Sequence, residues 1–248
     1  METMTALSLV GVDRAYGRRR VLRSIGAQVP SGRVAALVGL NGAGKTTLLH
    51  TVVGLACPDR GRVLVFGKPP RIALVDGDVG FVAQDKPVYR RMSVRDHLRL
   101  GAHLNRRWDM AYATSRLEGL GIGLARRAGT LSGGERSQLV LTLALAKRPR
   151  LLVLDEPAAA LDPLARHDFL TAVTAEARER TITVMHSSHD VAGLEASCDY
   201  LMVLRNGSLV CSGETASMTG PGRGLTALVL SALRGEGVQP ADSTEGNR

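Results

Sequence analysis

Short runs of apolar residues alternate with amphipathic stretches along most of this sequence. Val34–Val38 and Leu151–Asp155 are nearly uninterrupted apolar runs, which predict strands buried on both faces of a parallel sheet. Val79–Val82 and Thr181–Met185 predict two further strands. Helical patterns separate the strands and are predicted at Gly44–Gly54, Ser93–Asn105, Asp109–Leu120, Glu135–Lys147 and Pro163–Glu179. The alternation predicts an α/β fold, with helices on the faces of a parallel sheet.

The two ends of the chain carry additional strand patterns. Leu7–Val10 and Val21–Val29 predict an opening pair of short strands, joined by a turn at Tyr16-Gly17, and we expect them to form an antiparallel β subdomain. Another strand is predicted at Arg62–Phe66. A closing pair is predicted at Tyr200–Leu204 and Ser208–Cys211, with Asn206-Gly207 as its turn.

The middle of the chain predicts a helical insertion. Residues from about 85 to 134 show no strand pattern before Leu131, and Ser93 with Asp96 has the spacing of a helix-capping pair. We therefore expect a single domain over residues 1–235, with a core at about 1–84 and 135–235 and a helical subdomain between them. Residues 236–248 are polar and rich in glycine, and we expect a disordered tail there.

Composition narrows the class of protein. Hydrophobic residues make up 44% of the 248 residues, which is enough for a sizeable core. No apolar run approaches the roughly 18–20 residues that cross a bilayer, and Met1–Met4 lacks the features of a signal peptide. The three cysteines lie far apart and form no CxxC pair, which fits a reducing compartment. We expect a cytoplasmic protein.

The net charge of the chain is +9, and only four of its 32 basic residues are lysines. Such a charge is typical of proteins that bind nucleic acid or an anionic membrane surface. It also fits a composition that favours arginine throughout, because the arginines are spread along the chain with few aromatic residues among them. Composition alone leaves both interpretations open.

The strongest local motif follows the predicted strand Val34–Val38 and begins the next predicted helix. It matches G-x-x-x-x-G-K-[ST], in which glycines let several backbone N–H groups point at one phosphate and the helix start adds partial positive charge. Lys45 would contact the β- and γ-phosphates, and the Thr46 hydroxyl would hold Mg²⁺. The predicted ATP-binding residues are Gly39, Leu40, Asn41, Gly42, Ala43, Gly44, Lys45, Thr46 and Thr47. The motif predicts a P-loop NTPase core.

A pair of acidic residues follows the predicted strand that begins at Leu151. Asp155 and Glu156 would lie at the carboxyl end of a parallel strand, where ligands bind in open α/β sheets. Asp155 would help to hold Mg²⁺, and Glu156 would act as the general base on the attacking water. The alternative, a solvated strand end, is weak beside a P-loop.

The segment Leu131-Ser132-Gly133-Gly134-Glu135 provides a second helix start suited to phosphate. The P-loop already supplies one such cradle. A second one serves another nucleotide, or the far side of a nucleotide held by a partner chain. We therefore predict that Ser132, Gly133, Gly134 and Glu135 contact nucleotide.

In the order and spacing of these motifs the sequence resembles the ABC transporter ATPase family, over roughly Leu7 to Cys211. Leu131–Glu135 resembles the family's LSGGQ signature. The resemblance implies that Tyr16 stacks on adenine, that Gln84 contacts Mg²⁺ and water, and that Asp162 belongs to the D-loop. His189, in Ser187-Ser188-His189-Asp190, resembles the switch histidine that contacts the γ-phosphate and is favoured over the nearby His186.

The resemblance also implies partners. Two ATPase subunits, identical or related, would sandwich ATP between one P-loop and the other subunit's signature, on the cytoplasmic face of the membrane below a transmembrane permease subunit. Arg90 and Arg91 would grip that subunit or lie near lipid headgroups, unless they belong to an ordinary solvated face. The stretch Leu104-Asn105…Trp108-Asp109, together with Ser187-Ser188-His189, resembles a bacterial export-type subgroup, so we expect an exporter.

Some positions depart from the commonest family pattern, among them Ala158-Ala159-Ala160, which replaces a more polar run before the D-loop. Leu40 replaces a proline in the P-loop, and Glu135 replaces the glutamine of the signature. An acidic residue in a first helical turn is favourable by about 0.3–1 kcal/mol, whereas its charge is unfavourable close to a triphosphate.

The alternative function is a non-transport ABC ATPase that acts on nucleic acid or the ribosome. The interval from Gln84 to Leu131 is too short for the coiled coil of a repair ATPase, and the chain carries one cassette where translation factors carry two. We therefore do not expect nucleic acid as a partner.

Overall fold

The computed structural model describes residues 4–159, 161–189, 198–219 and 224–236. Within these ranges the strands are β1 Thr5–Tyr16, β2 Arg19–Pro30, β3 Val34–Val38, β4 Arg60–Val65, β5 Val79–Val82, β6 Leu151–Leu154, β7 Thr183–Ser188, β8 Tyr200–Arg205 and β9 Ser208–Glu214. The helices are α1 Lys45–Val52, α2 Pro70–Val75, α3 Val94–Leu104, α4 Met110–Gly119, α5 Gly133–Ala146, α6 Pro163–Arg180, α7 Thr215–Met218 and α8 Leu225–Arg234.

The central sheet has the strand order β5-β6-β7-β3-β8-β9. All neighbouring pairs are parallel except β8 and β9, which form an antiparallel hairpin. Because β7 lies between β6 and β3, the carboxyl ends of these three strands meet at one edge of the sheet. The α/β fold predicted from the apolar runs is confirmed, and β3 and β5 have the predicted bounds.

A second sheet of three strands, in the order β2-β1-β4, is antiparallel throughout. Its apolar side chains, including Leu7, Leu22 and Val63, join α1 and one face of the central sheet in a single buried cluster. The predicted strands here are too short, since β1 and β2 each span 12 residues and pair as far as the turn at Tyr16 and Arg19. Exposed arginines of the hairpin, such as Arg19 and Arg23, interrupt the apolar pattern, so the full length of the strands was not predicted.

Helices α3 and α4 form the middle of the chain and pack on α5. Ser93 caps α3 as predicted, because its Oγ accepts a hydrogen bond from the backbone N–H of Asp96 while the Asp96 carboxylate accepts one from the Ser93 N–H. Leu98 and Leu117 are fully buried in an apolar cluster of these helices. Because α5 also packs on β5, it connects α3 and α4 with the central sheet.

Several predicted bounds were wrong. β7 continues past Met185 to Ser188, because it pairs with β3 along the whole length of that strand. α5 begins at Gly133 rather than Glu135, since the Ser132 side chain caps it. The short helices α2 and α7 and the longer α8 were not predicted at all.

The missed helix α8 had a detectable signal. Leu225, Leu228, Val229 and Ala232 recur at helical spacing and are buried against the central sheet. The predicted disordered tail lies outside the described residues beyond Glu236. No helix in the described ranges is both long and apolar enough to cross a membrane.

Candidate nucleotide-binding site

The P-loop motif connects the carboxyl end of β3 with the first turn of α1, as predicted. Two of its glycines are required by geometry. A Cβ on Gly39 would lie 2.5 Å from the carbonyl oxygen of Leu204, which is closer than atoms approach. Gly44, the N-cap of α1, has φ 109°, a region that disfavours every other residue. The loop can therefore keep its backbone close to a ligand.

Lys45 is the cation of this loop, and it is 6% exposed. Its Nζ donates a hydrogen bond of 2.9 Å to the carbonyl oxygen of Gly39, and it lies 3.3 Å from Oε1 of Glu156. The ammonium group is thus held at the mouth of the loop between a backbone acceptor and a carboxylate. A cation in this position can contact terminal phosphates.

Asp155 and Glu156 follow β6 and are linked through a buried serine on β7. The Ser187 hydroxyl donates a 2.7 Å hydrogen bond to Oδ1 of Asp155 and accepts one of 2.8 Å from the backbone N–H of Glu156. Glu156 has φ 42°, so its backbone turns sharply at the strand end. The Asp155 carboxylate and the Glu156 backbone are thereby fixed. Asp155 is 1% exposed, while the Glu156 side chain keeps 12% exposure beside the cleft.

His189 follows β7 at the same edge of the sheet. Its Nδ1 lies 3.2 Å from Oε2 of Glu156, so Glu156 contacts Lys45 through one oxygen and His189 through the other. His186, the alternative histidine, lies inside β7 and is fully buried. Burial lowers the pKa of His186 to about 4. Only His189 of these two faces the candidate site.

These residues surround an open cleft of about 560 Å³, which we call the nucleotide cleft. The predicted Tyr16 and Gln84 both contribute to it. Its lining residues are Tyr16, Arg19, Val21, Asn41, Gly42, Gly44, Lys45, Thr46, Thr47, Gln84, Glu156 and His189. Arg19, Val21 and the supporting Ser187 were missed as site residues. The first two belong to the β1–β2 hairpin, which carries no motif apart from Tyr16.

The signature segment, Leu131–Glu135, lies away from this cleft. Ser132 is the N-cap of α5, and its Oγ accepts a hydrogen bond from the Glu135 N–H, while the Glu135 carboxylate accepts one of 2.8 Å from the Ser132 N–H. Arg126 also holds Glu135 with both terminal nitrogens. The Arg126 guanidinium, with help from the Ser132 N–H, lowers the pKa of the Glu135 carboxyl.

The sequence-predicted residues therefore fall into two groups. Tyr16, Gln84, Glu156 and His189 line one cleft together with the P-loop residues Asn41, Gly42 and Gly44–Thr47. Gly39, Leu40 and Ala43 belong to the same loop but are not among the lining residues, and Asp155 is linked to Glu156 through Ser187. Ser132–Glu135 and Asp162 are not among the residues that line this cleft in the described ranges. Asp162 instead caps α6, where its carboxylate accepts a hydrogen bond from the Ala165 N–H. Ala160, two residues before it, lies outside the described residues.

The donor set suits a nucleotide-bound Mg²⁺ better than a metal held by the protein alone. Thr46 offers an exposed hydroxyl and Asp155 a fixed carboxylate, which are oxygen ligands of the kind that Mg²⁺ takes together with phosphates and water. Among the described residues no three His, Cys, Asp or Glu side chains cluster as a metal site. The first turn of α1 supplies N–H groups without intrahelical partners for the phosphates.

Comparison with known proteins agrees with this geometry. The family model described as "ABC transporter" matches residues 22–159, more than half of the chain. The chain belongs to the ABC transporter ATPase family. It is an ATPase, the ATP-binding subunit of an ABC transporter, and it uses ATP with Mg²⁺.

Two curated relatives illustrate the similarity. The aliphatic sulfonates import ATP-binding protein SsuB 2 of Pseudomonas aeruginosa is 36% identical over 207 residues, which cover 82% of this chain and 73% of the relative. The hypophosphite import ATP-binding protein HtxD of Stutzerimonas stutzeri is 32% identical over 236 residues, covering 86% and 68%. Both names describe import, so neither supports the predicted export-type subgroup.

Solved structures share the fold. An ATP-binding subunit of an ABC transporter superimposes with a TM-score of 0.75 at 26% identity, covering 86% of this chain and 92% of that one. For cbiO1 from Clostridium perfringens, part of the cbiONQ transporter complex, the TM-score is 0.74 at 26% identity, with 85% and 88% covered. The combination of an antiparallel sheet, a mixed central sheet and helices is therefore that of ABC ATPases.

Proposed function

We propose that this chain hydrolyses ATP at a site shared by two ATPase subunits, and that hydrolysis drives transport through a separate membrane subunit. The observation that carries the proposal is the position of Glu156, whose two carboxylate oxygens lie 3.3 Å from Lys45 Nζ and 3.2 Å from His189 Nδ1. A base, a phosphate-binding cation and a histidine thus meet beside the P-loop.

Each residue in the cleft has a proposed role. The P-loop residues Gly39–Thr47 bind the phosphates through backbone N–H groups, and Lys45 turns from the Gly39 carbonyl to the β- and γ-phosphates. Tyr16, which is 50% exposed at the rim, offers its ring to the adenine.

Hydrolysis requires a base and groups that hold the terminal phosphate. Glu156 polarises the attacking water, while His189 and Gln84 hold that water and the γ-phosphate in position. Thr46, Asp155 and Gln84 are the proposed Mg²⁺-binding groups, and bound Mg²⁺ would neutralise charge on the phosphates.

The second half of the site would come from another subunit, identical or related. Ser132 and Gly133 are exposed at a helix start that, with Gly134, does not line this chain's own cleft, and Asp162 is exposed as the N-cap of α6. A phosphate-binding helix start supplied in trans completes an otherwise one-sided site. Groups supplied in trans to other phosphoryl-transfer enzymes change rates by about 10³–10⁵.

The membrane subunit is the second proposed partner, which places this chain on the cytoplasmic face of the membrane. Arg90 and Arg91 are both exposed in the β5–α3 connection and offer a basic contact for that subunit or for lipid headgroups. The relatives named above are import proteins, whereas the local resemblance around Trp108 favoured export. The ATPase residues do not carry this direction, because the cargo passes through the membrane subunit.

The central experiment replaces Glu156 by Gln. ATP turnover should fall by about 10²–10⁴-fold, because the base is removed while ATP binding is kept. The variant should also accumulate as an ATP-bound dimer, which size-exclusion chromatography with light scattering would measure. Glu118→Gln, at an exposed position of α4, is the matched control and should turn over normally. Normal turnover by Glu156→Gln would exclude Glu156 as the base.

The transport half needs its own experiment. Tagged chain should be purified from membranes, and a co-purifying protein with several membrane spans is the expected result. Ribosomes or DNA in its place would contradict transport and support the alternative function. Glu in place of both Arg90 and Arg91 should release the chain from that partner, and unchanged co-purification would exclude this contact. ATP-driven flux in vesicles of known orientation would then give the direction.

A further inference from the structure

Glu135 brings a negative charge into the part of the signature segment that faces solvent. It stands at the third position of α5, and its carboxylate lies against the Ser132 N–H at 2.8 Å. Under the proposed function, the triphosphate bound by a second subunit approaches this same helix start. An uncompensated carboxylate there would repel the phosphates and weaken the assembly.

Arg126 meets this carboxylate with two of its nitrogens. One nitrogen binds Oε1 of Glu135, while the other lies 3.1 Å from Oε2 and also donates a 3.2 Å hydrogen bond to the Thr130 carbonyl oxygen. Paired planar contacts of this kind are the strong form of an arginine–carboxylate pair. The charge of Glu135 is therefore cancelled at the signature itself.

The backbone of Arg126 is also held in place. Its carbonyl oxygen accepts a hydrogen bond of 2.9 Å from the Val94 N–H at the start of α3, and its N–H donates to the Gly123 carbonyl oxygen. Arg126 thus approaches Glu135 from a fixed turn rather than from a free loop. The next residue, Arg127, carries the same charge but is exposed, and the Glu135 carboxylate is paired with Arg126 instead.

We propose that Arg126 is a positioning residue that neutralises Glu135, so that the signature segment can close on the ATP of a second subunit. This inference rests on the proposed shared site. It assigns a use to a residue outside every motif, and it explains how a chain with Glu in place of the signature's usual glutamine keeps an electrostatically compatible helix start. If the ion pair were merely structural, Arg126→Gln and Glu135→Gln would both weaken dimerisation, whereas neutralisation predicts opposite effects.

The experiment is a double-mutant cycle on Arg126 and Glu135. It is carried out in the Glu156→Gln variant, which is expected to accumulate as the ATP-bound dimer. The variants are Arg126→Gln, Glu135→Gln, the two together, and Arg127→Gln as the matched control for loss of one positive charge. Sedimentation would measure the dimer dissociation constant with ATP and Mg²⁺. A fluorescent ATP analogue would measure binding to the P-loop of the monomer, and thermal unfolding would test the fold.

Neutralisation predicts opposite effects for the two partners. Arg126→Gln should weaken dimerisation by about tenfold, and Glu135→Gln should strengthen it by a similar factor, as expected for one charge a few ångströms from phosphate near a protein surface. The double variant should return to within about twofold of the parent. Gln also serves in a helix-capping box, so Glu135→Gln keeps α5 intact and remains informative if Arg126→Gln folds poorly.

Three results would overturn the inference. Weaker dimerisation in both single variants would make the pair structural. An Arg126→Gln affinity equal to that of Arg127→Gln would remove any special role for Arg126. A parent that binds ATP as a monomer but never dimerises would contradict the shared site itself, so failure of the proposed function is distinguished from failure of this inference.

Discussion

The two helices that begin at candidate phosphate sites begin in different ways. α1 has Gly44 as its N-cap, with a left-handed backbone, no side-chain hydrogen bond to its first turn and no acidic residue there. α5 has Ser132 as its N-cap, a reciprocal hydrogen-bonded pair with Glu135, and Arg126 against the carboxylate. One helix start is open toward the cleft, whereas the other has the N–H groups of Ser132 and Glu135 bonded to its own side chains.

This difference suggests separate roles for the two helix starts, namely nucleotide binding at α1 and association of two subunits at α5. An open helix start leaves N–H groups without partners, so it gains most from a phosphate that comes to it. A capped start is stable without ligand and keeps its shape on the surface until another molecule meets it. Under the proposed function, the P-loop end would bind nucleotide in a single chain, and the signature end would recognise nucleotide that is already bound to another subunit.

The largest effect should come from paired glycine substitutions. Gly44→Ala should weaken ATP binding by about 100-fold, because a side chain at φ 109° is strained and its Cβ would lie 3.0 Å from the Val21 carbonyl oxygen. Gly134→Ala should leave ATP binding to the single chain unchanged, since its nearest neighbour, Ser132 Oγ, is 3.9 Å from the added atom.

Equilibrium binding of a fluorescent ATP analogue would measure both affinities, and steady-state turnover would follow. We expect Gly134→Ala to reduce turnover without changing monomer binding. Equal loss of ATP binding in both variants would contradict separate roles for the two helix starts.

Acid should destabilise the folded chain through His186, which is buried in β7. Its pKa is lowered to about 4 by burial, and Nε2 of this residue is buried without a hydrogen-bond partner among the described residues. The unfolded chain binds a proton below about pH 6.5, so stability is complete above that pH and falls as the pH approaches 4. The loss attributable to this group is at most about 3 kcal/mol.

The matched variant is His186→Leu, which suits a strand position between Leu154 and Ala36. Urea unfolding at pH 7.5 and pH 5 should show a smaller loss of stability for the variant than for the parent. The same difference in both proteins would show that other groups carry the acid sensitivity.

A substitution of Ser187 would test whether its hydroxyl positions Asp155 and Glu156 beside the P-loop. Ser187→Ala removes a hydroxyl that is 1% exposed and leaves Oδ1 of Asp155 and the Glu156 N–H without this partner. Unfolding free energy should fall by about 1–3 kcal/mol, and turnover should fall with it because Glu156 loses its fixed position. Ser188→Ala on the same strand end is the comparison variant. Unchanged turnover would show that the serine bridge does not position the base.

The smallest effect concerns the cap of α5. Ser132→Ala removes one half of the capping pair and should lower the unfolding free energy by about 1 kcal/mol, measured by chemical denaturation. Asn41→Ala, on the open P-loop, should change stability less, since α1 has no side-chain cap to lose in the described structure. A larger loss for Asn41→Ala would contradict the distinction between an open and a capped helix start.

The parts of the site that sequence predicted are those carried by contiguous residues. The P-loop, the Asp155-Glu156 pair and the signature are each fixed by a few neighbouring side chains and by the helix or strand beside them. Caps at Ser93 and Ser132 follow the same local logic. Helix α8 also had a local signal in its apolar spacing, so its omission was an error of interpretation rather than a missing pattern.

Other features depend on which strands become neighbours. Ser187 reaches Asp155 only because β7 lies beside β6, although 32 residues separate the two along the chain. Arg19 enters the nucleotide cleft because the β1–β2 hairpin lies over the P-loop. Arg126 meets Glu135 because the turn before α5 is held against α3. None of these contacts leaves a periodic pattern or a motif in the sequence.

The two helix starts of the opening comparison show where this division lies. The sequence by itself determined that one start carries glycines and a lysine and that the other carries a capping serine and glutamate, since hydrogen bonds within one turn depend on neighbouring residues. Only the tertiary structure decided that one oxygen of Glu156 lies beside Lys45 and the other beside His189 at the first start, and that Arg126 neutralises Glu135 at the second. Contacts between distant segments depend on strand order and packing, which are properties of the whole chain.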